Sequence, residues 1–151
     1  MEQIRIKVLE KANDLPLPNY GTSLSAGADL IAAIDASVIL QPGERCLIGT
    51  GVCIALPRNY EAQIRPRSGL AVKHGLTVLN SPGTIDADYR GELIVCIINH
   101  GQEPFVIERG MRIAQLVIAQ FVQADWQICV ELDDTDRGEG RFGSTGLKSV
   151  S

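Results

Sequence analysis

The sequence predicts an all-β domain, a sandwich or jelly roll, on three observations: short apolar runs recur, turn signals separate them, and helical periodicity is nearly absent. Ile4-Arg5-Ile6-Lys7-Val8 alternates with period two, so one face of a strand can be buried while the other stays wet. Comparable runs follow at residues 38–40, 46–48, 52–56, 93–98, 105–107 and 113–118. Gln41-Pro42-Gly43-Glu44, Pro57-Arg58-Asn59, Ser81-Pro82-Gly83, Asn99-His100-Gly101 and Glu108-Arg109-Gly110 mark the turns between them. The one helical stretch is residues 68–74, where Ser68 is placed to cap a turn or two.

Three segments carry further expectations. Leu93-Ile94-Val95-Cys96-Ile97-Ile98 does not alternate, which predicts burial of both faces, either against another subunit or deep in one core. Arg112 and Gln115 lie three apart on a strand and face opposite sides unless a bulge intervenes. Ser25-Ala26-Gly27-Ala28-Asp29-Leu30 reads as a small-residue turn with one carboxylate.

At 151 residues the chain is long enough for one domain with a sizeable core. Hydrophobic residues make up 45% and aromatics only 5%, so that core must rest on Val, Ile, Leu and Ala. A net charge of −4 argues against a protein that coats nucleic acid, which needs a basic stripe, but local arginines can still bind a small anion. Cys46, Cys53, Cys96 and Cys129 form no Cys-x-x-Cys pair and are expected as reduced, buried thiols. No run of about 18 apolar residues exists, and residues 1–11 lack a targeting pattern. The expectation is a cytoplasmic protein with no membrane partner. Asp133-Asp134-Thr135-Asp136 marks a change of character, giving a body at 1–132 and a linker with a glycine-rich arm at 133–151.

That arm, Arg137-Gly138-Glu139-Gly140-Arg141-Phe142-Gly143-Ser144-Thr145-Gly146, cannot build a core, because its glycines are costly to order and it holds one aromatic. Its parts suit a nucleotide: arginines and close backbone N–H groups for phosphate, Ser144 and Thr145 as hydroxyl donors, Phe142 as a flat face for a base. Gly138-x-Gly140-x-x-Gly143 formally matches a dinucleotide fingerprint but lacks the strand and helix that must frame one. In Asn80-Ser81-Pro82-Gly83-Thr84-Ile85-Asp86-Ala87-Asp88-Tyr89-Arg90-Gly91, an amide, a carboxylate and an amphipathic ring stand close together; the same carboxylates equally suit a turn satisfied by backbone N–H groups. Pro66-Arg67-Ser68-Gly69 sets a guanidinium and a hydroxyl at a helix start, which favours an anion. His74 and His100 match no triad or metal spacing, and Trp126 reads as a core or interface filler.

Taken in order, Ala26-Gly27-Ala28-Asp29-Leu30, Pro66-Arg67-Ser68-Gly69, the run from Asn80 to Gly91, Arg112-Ile113-Ala114-Gln115 and the run from Arg137 to Gly146 resemble the five motifs of the trimeric deoxyuridine triphosphatases. Five motifs in the right order are specific where any one is weak. The resemblance implies a distorted jelly roll of the β-clip kind with a flexible C-terminal arm, a homotrimer, and active sites at subunit junctions. It implies Mg²⁺-dependent hydrolysis of dUTP to dUMP and pyrophosphate, supplying dUMP for thymidylate synthesis and keeping uracil out of DNA. Asp86 matches the water-activating carboxylate, Asn80 the position beside uracil, with Gly83, Thr84 and Ile85 in the same substrate-binding loop, and Tyr89 the ring on the deoxyribose. Arg67, Ser68, Gly69 and Gln115 match the phosphate-binding motifs, and Arg137, Phe142, Gly143, Ser144 and Thr145 the mobile arm. The Mg²⁺ is expected on substrate phosphates and waters, not on protein ligands, and Asp29, Asp88, Arg112 and Arg141 receive no role. Two rivals remain at this point: a deoxycytidine triphosphate deaminase of related fold, and a non-catalytic deoxynucleotide-sensing module.

Overall fold

A computed structural model describes residues 3–141. Among these residues eleven strands and one α-helix follow in chain order, with a single 3-10 turn at Glu10–Ala12: β1 (Arg5–Val8), β2 (Asn19–Tyr20), β3 (Gly27–Ile31), β4 (Val38–Leu40), β5 (Arg45–Ala55), β6 (Tyr60–Arg65), α1 (Ser68–His74), β7 (Leu76–Val78), β8 (Gly83–Ile85), β9 (Glu92–Asn99), β10 (Phe105–Ile107) and β11 (Arg112–Gln120). They pair antiparallel throughout, in a four-stranded sheet β1-β5-β9-β7, a five-stranded sheet β2-β3-β11-β6-β8 and a two-stranded ribbon β10-β4. This is the all-β, jelly-roll-like class expected from the sequence.

Side chains from all three sheets meet in one core, with Leu30, Ile64 and Leu116 from the larger sheet, Ile48, Leu93 and Val95 from the smaller, and Leu40 and Ile107 from the ribbon. Burying a Leu or Ile side chain is worth about 1.5–3 kcal/mol, and this core is almost wholly aliphatic, as the scarcity of aromatics requires. Asn99 is the main polar intrusion; its amide donates to Leu40 O and Glu103 O, and its Oδ1 accepts the Gly101 N–H, so nothing is left unsatisfied.

Several expectations change. The runs at 46–48 and 52–56 are one strand, β5, whose register against β9 shifts between Gly49 and Cys53. Gly51 takes φ +70° there, and a Cβ would meet the Ala12 Cβ at 2.2 Å, so the position admits only glycine. The stretch 25–30 is no turn: residues from Gly27 onward form β3, where Gly27 makes room for a neighbouring side chain. β9 does not bury both faces in a single chain, since Leu93, Val95 and Ile97 point inward while Ile94 is 45% exposed and Cys96 half-buried. Ser68 does not cap α1; Arg67 holds the cap position in extended conformation and no side chain bonds the free N–H groups. All four cysteines are free, but only Cys46, Cys53 and Cys96 are half-buried, and Cys129 is exposed because its segment packs on nothing.

Candidate functional site

The long strand β11 lies between β3 and β6, and this order gathers the first group of site residues. Its register against β3 shifts between Arg112 and Ala114, the bulge that lets Arg112 and Gln115 serve one side. Both line a hollow of about 410 Å³ together with Asp29, Arg65, Arg67, Ser68 and Gly69. Neither is an idle surface group. Gln115 Nε2 donates to Pro66 O at 2.9 Å, and its side chain lies so close over Gly27 that a Cβ there would meet Gln115 Oε1 at 2.2 Å.

Asp29 organises the charge in this hollow. Its Oδ1 accepts from Arg67 Nε at 2.9 Å and its Oδ2 from Arg112 Nη1 at 3.0 Å, while Arg67 Nη1 also donates to Arg112 O at 3.3 Å. Three guanidiniums against one carboxylate leave a net positive lining, the setting that draws phosphate oxygens.

A second, wider hollow of about 1130 Å³ holds Thr84, Asp86, Asp88, Arg58 and Arg90, with Glu61 at the start of β6 and Phe121 beyond β11. No residue lines both hollows. The loop carrying Asp86 is held by its own backbone: Arg90 Nη1 donates to Ala87 O and Tyr89 O, each at 2.7 Å, Tyr89 N–H to Asp86 O at 3.1 Å, and Tyr89 O–H to Glu92 O at 3.0 Å. The Tyr89 hydroxyl reaches this carbonyl only because Gly91 has no Cβ, which would meet Tyr89 Oη at 2.3 Å. Among the described residues no ion pair or hydrogen bond engages the Asp86 carboxylate.

Asn80 and Tyr89 stand outside both linings, with the Asn80 amide close over buried Gly83 and Ile85 packed against the core. Arg137 belongs to residues 122–141, which are exposed throughout; its carbonyl accepts the Gly140 N–H at 3.0 Å. Phe142, Gly143, Ser144 and Thr145 lie outside the described residues. One chain therefore brings Arg67, Ser68, Gly69 and Gln115 together, and Thr84 and Asp86 together, but does not unite the two groups.

The family model described as dUTPase matches residues 13–146. The chain belongs to the dUTPase family. Among its curated relatives, a deoxyuridine 5'-triphosphate nucleotidohydrolase of Rickettsia felis is 59% identical, covering 96% of this chain and 97% of its own, and one of Maricaulis maris is 56% identical with the same coverage. The fold superposes on the dUTPase of Staphylococcus bacteriophage 80alpha, solved with dUPNHPP, at a TM-score of 0.87 and 27% identity, covering 97% of this chain and all of that one.

Asp29, Arg65 and Arg112 are hollow-lining residues of this dUTPase-family chain to which the sequence alone assigned no part. The alternation of Tyr60-Glu61-Ala62-Gln63-Ile64-Arg65, with Ala62 and Ile64 inside, was a signal that could have placed Arg65 on the open face of a strand. Asp29 lies within the first motif, but nothing local gives its role, because its partners lie 38 and 83 positions away in the sequence. Among the described residues no cluster of three His, Cys, Asp or Glu side chains is arranged to hold a metal ion.

Proposed function

We propose that this chain is a dUTP diphosphatase that hydrolyses dUTP to dUMP and pyrophosphate as a homotrimer, one chain's guanidinium hollow combining with another chain's Asp86 loop. The observation that carries this reading is the division between the two hollows. One has the charge and donors for a polyphosphate, and the other has an unpaired carboxylate on a loop braced through its backbone, yet they share no residue. The segment after β11 supports assembly: Val122, Trp126, Ile128, Val130 and Leu132 recur at even positions in strand-like alternation, and all are exposed, Trp126 at 89%. Such a row fits a strand that pairs with another copy.

In this reading Arg67, Ser68, Gly69 and Gln115 bind the phosphates, and Asn80 on Gly83 reads the uracil edge within the loop formed by Gly83, Thr84 and Ile85. A buried donor or acceptor left unmatched by the wrong base costs enough to reject it. Tyr89, fixed through its hydroxyl, packs on the deoxyribose and leaves no space for a 2′-hydroxyl. Asp86 orients a water for in-line attack on the α-phosphorus and takes its proton, while pyrophosphate leaves. Bound Mg²⁺ supplies charge neutralisation on phosphate oxygens, which together with water are its preferred ligands; the one carboxylate of the guanidinium hollow is already occupied by two arginines. The residues after 132, with Arg137, Phe142, Gly143, Ser144 and Thr145, form an arm that closes over base and γ-phosphate. Free cysteines fit a reducing cytoplasm, where the product feeds thymidylate synthesis and dUTP is kept from DNA.

The test is pyrophosphate release from a panel of deoxynucleoside triphosphates with and without Mg²⁺. Release from dUTP, strongest with Mg²⁺, is expected; ammonia from dCTP, or tight dUTP binding without turnover, overturns the proposal. Truncation after Asp136 is expected to leave a folded trimer with little hydrolysis, and a truncated protein with full kcat/KM removes the arm from the mechanism.

A further inference from the structure

Deepening the phosphate-binding reading, on which it rests, we infer that Arg65 is a further polyphosphate-binding residue: held by the neutral amide of Gln63, it supplies the hollow with an uncancelled positive charge. β6 buries Ala62 and Ile64 and turns Glu61, Gln63 and Arg65 to its other face. Gln63 Nε2 donates to Glu61 Oε1 at 2.7 Å, and Gln63 Oε1 accepts from Arg65 Nη2 at 2.6 Å and from Arg65 Nε at 3.0 Å. The three side chains form a polar ladder along one strand. Its positive end, Arg65, lines the hollow with Arg67, Ser68 and Arg112, and its negative end, Glu61, lines the hollow of Asp86.

Arg65 immediately precedes the Pro66–Gly69 motif and stands directly opposite Gln115 of β11. What distinguishes it from its neighbours is the acceptor. Arg67 and Arg112 each bond an oxygen of Asp29, whereas among the described residues no carboxylate pairs with Arg65. An amide oxygen fixes a guanidinium without cancelling its charge. Glu61 orients that amide, because an ionised carboxylate only accepts and therefore draws Nε2 toward itself, which turns Oε1 toward Arg65. Arg65 Nη1 takes no part in the ladder and stays open to an anion. An arginine ordered in this way has less rotamer freedom to lose when a phosphate arrives. The attraction of one cation grows with the charge of the ligand, so Arg65 favours a polyphosphate over a shorter anion.

Binding of inorganic tripolyphosphate and pyrophosphate to the full chain is measured by calorimetry without Mg²⁺, for the wild type, Arg65→Ala, Gln63→Glu, Gln63→Met and Lys7→Ala. Arg65→Ala is expected to weaken tripolyphosphate about ten-fold, as for a lost charge-assisted bond, and pyrophosphate by less. Gln63→Glu keeps Arg65 and an acceptor for it but makes that acceptor a counter-charge, so tripolyphosphate binding should fall about five-fold. Gln63→Met frees Arg65 without neutralising it and should cost only about two-fold to three-fold. Lys7→Ala removes the same charge from the other sheet, away from both hollows, and should stay within about two-fold of wild type. Added salt should shrink the Arg65→Ala and Gln63→Glu losses, because Arg65 is exposed. Thermal melts check that each variant is folded, and Arg65→Ala or Gln63→Glu suffices alone if the other is not. Unchanged tripolyphosphate binding in Arg65→Ala, wild-type binding in Gln63→Glu, an equal loss in Lys7→Ala, or no wild-type binding overturns the inference. A wild type that binds tripolyphosphate through Arg65 but does not hydrolyse dUTP sinks the proposed function and leaves this inference standing. Hydrolysis of dUTP with KM unchanged in Arg65→Ala does the reverse.

Discussion

The hollow at Arg67 is ordered side chain to side chain, with Asp29 at 2.9 and 3.0 Å from two guanidiniums, whereas the loop at Asp86 is ordered through backbone carbonyls that Arg90 and Tyr89 hold. In the proposed function the difference follows from what each has to do. Groups that bind a polyphosphate gain from being charged, fixed and partly neutralised before the ligand arrives. A carboxylate that takes a proton must stay free of a permanent cation, since a paired carboxylate is a weak base. Securing the loop by its backbone fixes the position of Asp86 without occupying its oxygens.

The sharpest way to break this contrast is to disable each hollow alone. Asp86→Asn should lower kcat by about two to four orders of magnitude, the usual share of a general base, with little change in nucleotide affinity. Normal turnover removes Asp86 from the chemistry. Arg67→Ala should fail through binding. If the hollows of different chains combine, mixing the two inactive variants after co-refolding restores about one quarter of wild-type activity, because in a closed ring each site takes one hollow from each of two randomly assorted chains. No restoration would mean that both hollows work within one chain.

The next effect lies in the segment proposed to unite the chains. Trp126→Asp puts a charge into the row of exposed apolar side chains after β11, and loss of a buried aromatic anchor typically costs 2 kcal/mol or more. Ultracentrifugation should show dissociation at micromolar concentration, with activity that recovers as protein concentration rises. A variant that stays trimeric and active takes Trp126 out of the interface.

Much of this architecture was legible in the sequence, and the illegible parts share a cause. Strands of Val, Ile and Leu, such as residues 93–98 and 113–118, declare themselves through composition, and Ser68–His74 through the lack of any rival helix. β3 was read as a turn because Gly27 is small for a tertiary reason, the passage of Gln115, which no local pattern encodes. The pairing of Arg112 with Gln115 depended on a bulge, and a bulge depends on the partner strand. Asp29 lay in a recognised motif without a role, since its meaning comes from Arg67 and Arg112, brought near only by the order β3-β11-β6.

Two smaller effects sharpen the contrast from the side of the loop. Gly91→Ala sets a Cβ where Tyr89 Oη now lies, so the ring must move although the core is untouched. KM for dUTP should rise by about an order of magnitude, as expected for a displaced positioning group, with the melting temperature almost unchanged. The weakest effect belongs to Lys11→Met. Lys11 Nζ lies 2.7 Å from Glu92 Oε1, which also accepts the Gly51 N–H at 2.8 Å, and the two side chains are 38% and 19% exposed. A pair this accessible contributes about 1 kcal/mol or less, a shift of roughly 2–4 °C at most for a chain of this size. Tyr89 bonds the backbone carbonyl of Glu92, not its carboxylate, so kcat/KM should stay within about two-fold of wild type. A ten-fold fall in kcat/KM would show that the Asp86 loop leans on side-chain charge after all, and that both hollows are held in the same way.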